Sequence, residues 1–205
     1  KVTGGIITTV AGTGTSGYNG DNIAATSAQI GFDVRGVFVD GSGNIYIADS
    51  QNSRIRKGTG GIITTVAGIG VSGYNGDNIL ATTAQLIFPQ GVFVDGGGNI
   101  FIADASDRVR RVDALTTTIT TVAGNGTYRF GGDTGPSAKA QVDSPAGLLR
   151  DSAGNIYFVD TYNSRIRKIA VGTNVITTVA GNGISGYTGD GGPATSASLQ
   201  LTFNS

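Results

Sequence analysis

The residues best placed to do chemistry are an aromatic and an aspartate that return together along the chain. They are Tyr18 with Asp21, Tyr74 with Asp77, Phe130 with Asp133 and Tyr187 with Asp190, three residues apart each time in a Gly/Ser/Asn-rich stretch. An aromatic face beside a carboxylate binds sugars or cations, and several such pairs on one rim add avidity. These eight residues are the candidate ligand-binding set. The plainer reading of the same pairs is that the ring packs over a neighbouring unit.

Two further acidic sets recur. Asp40, Asp95 and Asp151 each stand four residues before an asparagine, across a glycine-bearing turn. Converging carboxylates and loop carbonyls could give calcium its six to eight oxygens, but an aspartate here is expected to cap its own turn. Asp49 with Arg54, Asp104 with Arg108 and Asp160 with Arg165 fall at opposite ends of one hairpin and are expected to pair across it. Half exposed, such a pair contributes about 0.2 to 1 kcal/mol. An active site is built once, so residues repeated in every unit are poor catalytic choices. No catalytic residue, metal site or cofactor is expected, with calcium as the alternative.

Composition narrows the chemistry further. The 205 residues contain no cysteine and no histidine, which removes thiolate, imidazole and Cys/His zinc chemistry. Fourteen basic residues balance 14 acidic ones, all aspartate, so no net field draws nucleic acid or an anionic membrane. The one local basic excess, Arg108, Arg110, Arg111 and Arg129, is interleaved with aspartates, and no nucleic-acid partner is expected. No apolar run approaches 18 residues, so no membrane insertion is expected either. Methionine is absent, so Lys1 is expected to belong to a processed product or a window of a longer chain.

These residues are positioned by a repeat. Thr8-Thr9-Val10-Ala11-Gly12 returns from Thr64, from Thr120 and from Thr177, at spacings of 56, 56 and 57 residues. Gly43-Asn44-Ile45-Tyr46-Ile47-Ala48-Asp49 recurs in closely similar form from Gly98 and Gly154, and Arg54-Ile55-Arg56-Lys57 from Arg108 and Arg165, at nearly the same period. Scarce helix formers and abundant Thr, Val, Ile, Gly and Asn predict short strands joined by turns. Each period reads as four strands, near 36–39, 45–48, 54–57 and 62–67 in the first unit. Arg54 and Arg56 share one face of the third strand and Ile55 takes the other, which predicts a half-solvated strand. In the connection, 24–30, 81–86 and 194–199 are expected to make short helical turns capped by a preceding Asp or Asn.

A four-stranded unit that cannot bury both sheet faces alone must stack on its neighbours. The expected fold is therefore all-β, a β-propeller of four-stranded antiparallel blades, with a stacked solenoid as runner-up. The whole chain, 1–205, reads as one segment with repeats near 6–61, 62–117, 118–174 and a partial 175–205. Three blades are complete, and both ends fall mid-blade. Closed propellers have about four to eight blades, so completion by flanking sequence or by a second copy is expected.

The run Gly-Asn-Ile-Tyr-Ile-Ala-Asp, then Arg-Ile-Arg-Lys, then Ile-Thr-Thr-Val-Ala-Gly resembles the NHL repeat family of propellers, especially bacterial and algal long-repeat forms with a connection like Gly189-Asp190-Gly191-Gly192-Pro193-Ala194. The family's Asn-His pair is Asn52-Ser53 and Asn163-Ser164 here, and the second unit shortens that turn to Ser106-Asp107. The resemblance implies a ring commonly of about six blades and leaves function open, since relatives include binding modules, lyases and hydrolases. The expected function is a non-enzymatic scaffold or recognition module for a protein or glycan partner, a homo-oligomer or larger assembly included. The alternative is a lyase- or hydrolase-type propeller enzyme with an Asp/Asn calcium site. Low lysine, absent cysteine and the sequon Asn125-Gly126-Thr127 lean towards an extracellular or cell-surface setting.

Overall fold

The computed structural model describes residues 1–201. The end of the partial fourth unit, read at 202–205, lies outside the described residues. Strands β1 (Val2–Thr3) and β2 (Ile6–Ile7) form a lone hairpin. The first full sheet holds β3 (Ile23–Ala24), β4 (Val34–Val39), β5 (Ile45–Asp49), β6 (Arg54–Thr59) and β7 (Ile62–Ala67), in the order β3-β7-β6-β5-β4. The second repeats it with β8 (Ile79–Leu80), β9 (Gly91–Val94), β10 (Ile100–Asp104), β11 (Arg108–Val112) and β12 (Thr118–Ala123), in the order β8-β12-β11-β10-β9. The third runs β13 (Pro145–Arg150), β14 (Ile156–Asp160), β15 (Arg165–Ile169) and β16 (Ile176–Ala180), in chain order. Every pairing between named strands is antiparallel, and the fold is that of a β-propeller segment whose sheets are not closed into a ring.

The fifth strand was not anticipated. Each connection crosses to the following blade and adds two residues outside its fourth strand, Ile23 opposite Ile63 and Ile79 opposite Ile119. In the third blade Pro136, which cannot donate to a ladder, leaves a single bridge to Val175. The connection thus starts at one blade's outer edge and closes the outer edge of the next.

The helical expectation shrinks to one 3-10 turn per unit, at Ala25–Ser27, Ala81–Thr83, Ser137–Lys139 and Ala194–Ser196. None has a side-chain cap, because Ala24, Leu80, Pro136 or Pro193 occupies the cap position and the Asx residue lies further back. The alanines of these turns pack inwards. Ala25 and Ala28 cluster with Ile63, Ala81 and Ala84 with Ile119, and Ala140 with Ile176.

The half-solvated third strand is also corrected. Arg56, Arg110 and Arg167 are fully buried, as are Ile55 and Val109 beside them. A bulge after Ile55, Val109 and Ile166 breaks the register with the fourth strand at this point, and the connection covers the face that alternation left to solvent. The tight fit explains the glycine of Thr-Thr-Val-Ala-Gly. A Cβ on Gly68, whose φ is +91°, would run into the Ser53 carbonyl oxygen.

Candidate functional site

The first three aromatic and aspartate pairs, at Tyr18, Tyr74 and Phe130, are each brought together with arginines from the following blade. Asp21 Oδ1 accepts from Arg56 Nη2 at 3.0 Å and from Thr65 Oγ1 at 3.1 Å. Asp77 Oδ1 does the same with Arg110 at 3.0 Å and Thr121 at 3.0 Å. Asp133 accepts from Arg167 Nη2 at 2.8 Å and from the Thr178 amide at 3.2 Å. The aromatic lies against two guanidinium groups at once. Arg54 and Arg56 stand 3.8 and 4.8 Å from the Tyr18 ring centre, Arg108 and Arg110 3.8 and 4.9 Å from Tyr74, and Arg165 and Arg167 3.6 and 5.0 Å from Phe130.

The two arginines of each third strand divide the work. The first donates to backbone carbonyls of its own turn and of the next connection: Arg54 to Asn52 and Ile69, Arg165 to Asn163 and Asn182. The second reaches back to the preceding connection. A buried guanidinium is tolerated only when paired and hydrogen-bonded, so the aspartate is the group that permits it. The hairpin pairs expected at Asp49–Arg54, Asp104–Arg108 and Asp160–Arg165 are register partners along the strands. For Asp160 and Asp49 the ionic partner is instead the second arginine, with Arg167 Nη1 2.8 Å from Asp160 and Arg56 Nη1 3.8 Å from Asp49, and Asp104 makes no ion pair among the described residues. Two residues on, the side chain returns to the same face, which is why the reading missed by one pleat.

Burial pushes the Asp49 and Asp160 carboxyls up, and raises Asp104 to about 6. Asp104 stands highest for a local reason. Asn52 and Asn163 donate to Asp49 and Asp160 from the five-residue turn, and the shortened second turn supplies no such amide, leaving Asp104 Oδ2 without a partner. Asp40, Asp95 and Asp151 cap their turns: Oδ1 of each accepts from the amide of Asn44, Asn99 or Asn155 at 2.8, 2.9 and 2.8 Å, and the Asn side chain binds back. That side-chain bond holds the Asp40 and Asp151 carboxyls below the usual range. The expected basic excess disperses, with Arg110 buried, Arg108 stacked on Tyr74 and Arg111 paired with Asp113.

The fourth pair stands apart. Tyr187 Oη donates to Asp190 Oδ2 at 3.1 Å, as Tyr18 does to Asp21 at 3.0 Å. Yet Tyr187 is 84% exposed against 37%, 38% and 40% for Tyr18, Tyr74 and Phe130. No described arginine or threonine completes it. At the other end Ile7 is 81% exposed, while Ile63, Ile119 and Ile176, one, two and three units on, are wholly buried.

A second place was missed. The first strands β4, β9 and β13 lie side by side and line a cavity of about 610 Å³. Their glycines permit the approach, since a Cβ on Gly36 would stand 2.9 Å from Gly91 Cα and one on Gly91 3.3 Å from the Gly147 nitrogen. Immediately before these glycines the units differ: Arg35, Gln90 and Ala146. Arg35 Nε donates to both oxygens of Asp33, at 3.0 and 2.9 Å, and Gln90 Nε2 donates to Ser144 Oγ at 2.7 Å. Polar residues that are not repeated therefore gather at the inner strands. Aligning the units and reading where they disagree would have found them.

No protein-family model matches the chain. It is 34% identical over 133 residues to the Arabidopsis thaliana protein SUPPRESSOR OF QUENCHING 1, chloroplastic, a match covering 60% of this chain and 12% of that one. Among solved structures it is similar to an auxiliary nutrient binding protein from Bacteroides thetaiotaomicron, at 18% identity and a TM-score of 0.56, over 78% of this chain and 39% of that one. Virginiamycin B lyase from Staphylococcus aureus aligns with 71% of this chain and 40% of its own, at 14% identity and a TM-score of 0.46. The chain thus spans well under two thirds of each. No described helix is long and apolar enough to cross a membrane.

Proposed function

We propose that the chain is an NHL-type propeller scaffold, not an enzyme, that recognises a protein or glycan partner. The observation that carries the reading is that the carboxylates repeated in each blade already have partners: Asp77 accepts from the buried Arg110 at 3.0 Å, as Asp21 and Asp133 do from Arg56 and Arg167, and Asp95 accepts from the Asn99 amide at 2.9 Å. Such contacts tie each connection to the blade that follows it and suit a rigid surface more than a reacting centre.

Against catalysis stand the repeated carboxylates, which are used up by arginines and turn amides. An extracellular setting is proposed on the absence of cysteine and the scarcity of lysine. A lyase and hydrolase screen with and without calcium tests the enzymatic alternative, and turnover abolished by Asp95→Ala would establish it.

A further inference from the structure

The cavity between β4, β9 and β13 has the size of a small-molecule site, about 610 Å³ against roughly 300–1,000 Å³ for such sites. Its walls combine two kinds of residue. Val37, Val92 and Leu148 hold equivalent places in the three blades and supply an aliphatic surface. Asp33, Arg35 and Gln90 line the same cavity, at places where the units do not agree. A residue needed only to build the blade would recur in each unit, as Gly36, Gly91 and Gly147 do. Arg35, Gln90 and Ala146, three different side chains at three equivalent places, make the cavity asymmetric, which a ring built for packing does not require.

The polar groups are also partly spent in an informative way. Arg35 gives only Nε to Asp33, so its two terminal nitrogens have no protein partner among the described residues. Arginine's planar fork takes a carboxylate on that free edge. Gln90 gives its amide hydrogen to Ser144 and keeps its carbonyl oxygen as an acceptor. Asp33 and Arg35 are both part exposed, so each can take a further partner. One cavity therefore offers a cation edge for a carboxylate, an anion and an amide oxygen for an ammonium, and an aliphatic wall.

We infer that this cavity binds a free aliphatic α-amino acid, its carboxylate on Arg35, its ammonium on Asp33 and Gln90, and its side chain on Val37, Val92 and Leu148. A zwitterion leaves the Asp33–Arg35 pair electrically balanced, whereas a simple anion or cation would not. This site is separate from the Asp–Arg contacts of the connections and does not rest on the scaffold reading.

The test is an NMR titration of the ¹⁵N-labelled chain with L-leucine, followed at the amides of Gly36, Gly91 and Gly147. Saturable shifts are expected, weakened at least tenfold, or about 1.4 kcal/mol, in Arg35→Gln and in Asp33→Asn. Leucine methyl ester and N-acetyl-leucine, each lacking one charge, should bind equally poorly, and the exposed Lys139→Gln control should bind normally. The inference is overturned by linear, non-saturating shifts up to about 20 mM, by variants that bind as the parent does, or by half-ligands that match leucine.

Discussion

Asp77 accepts a 3.0 Å hydrogen bond from Arg110, a wholly buried side chain 33 residues further along the chain. The contact joins a connection to the third strand of the blade it precedes, and Asp21–Arg56 and Asp133–Arg167 repeat it. Removing the acid strands a buried charge that keeps only the Gly76 carbonyl on the same nitrogen. Asp77→Ala should therefore cost about 3–5 kcal/mol in urea unfolding, and Arg110→Leu in the same chain should recover much of it. Asp190→Ala, with no described arginine to strand, should change stability by less than about 0.5 kcal/mol. If Asp77→Ala instead left the fold intact and abolished ligand capture, the binding reading of the eight residues would gain.

The raised carboxyls give a pH dependence of defined sign. Asp104, raised by burial to about 6, holds a proton in the folded chain that the unfolded chain has released, and burial shifts Asp49, Asp143 and Asp160 in the same direction. Folding is favoured by that proton below pH 4, and the advantage disappears as pH rises through about 6. Asp40, Asp113 and Asp151 are lowered, so their contribution is lost only on going below pH 4, outside this window. The urea midpoint should be higher at pH 4.5 than at pH 7, with the Asp104 carboxyl carbon titrating near 6 by NMR. A midpoint that rises from 4.5 to 7 would contradict it.

Equivalent isoleucines should differ in worth. Ile63 is wholly buried against Ala25 and Ala28, and Ile63→Ala should cost about 2–5 kcal/mol. Ile7→Ala, one unit earlier and exposed, should change stability by less than about 0.5 kcal/mol. Calorimetry of both variants beside the parent would check this, and equal losses would contradict it.

The four strands of each blade were legible because glycine turns punctuate short β-branched runs at a constant period, as at Ile45–Asp49 and Ile62–Ala67. What escaped was what one blade's sequence says about its neighbour. Ile23 and Ala24 look like loop because two residues carry no periodicity, and they become a strand only when Ile62 and Ile63 lie alongside. Arg56 looks solvated because alternation assigns it an outward face, and the segment that covers that face comes 35 residues earlier. Arg35 and Gln90 were passed over because the repeat drew the eye to what agrees. The three-residue spacing does not by itself give the Tyr18–Asp21 hydrogen bond and its equivalent at Tyr187, since Tyr74 and Asp77 share that spacing and make none among the described residues.

The absence of cysteine allows the crossing of a connection to the next blade to be read by a single bond. Leu80 of the connection stands opposite Thr118 of the fourth strand. Strand partners of this kind stand about 4.5–5.5 Å apart at Cα, within disulfide reach. A chain carrying both Leu80→Cys and Thr118→Cys is oxidised at low concentration and its disulfide mapped by mass spectrometry. The account predicts a bond within one chain linking positions 80 and 118. Free thiols, or links between chains only, would contradict it.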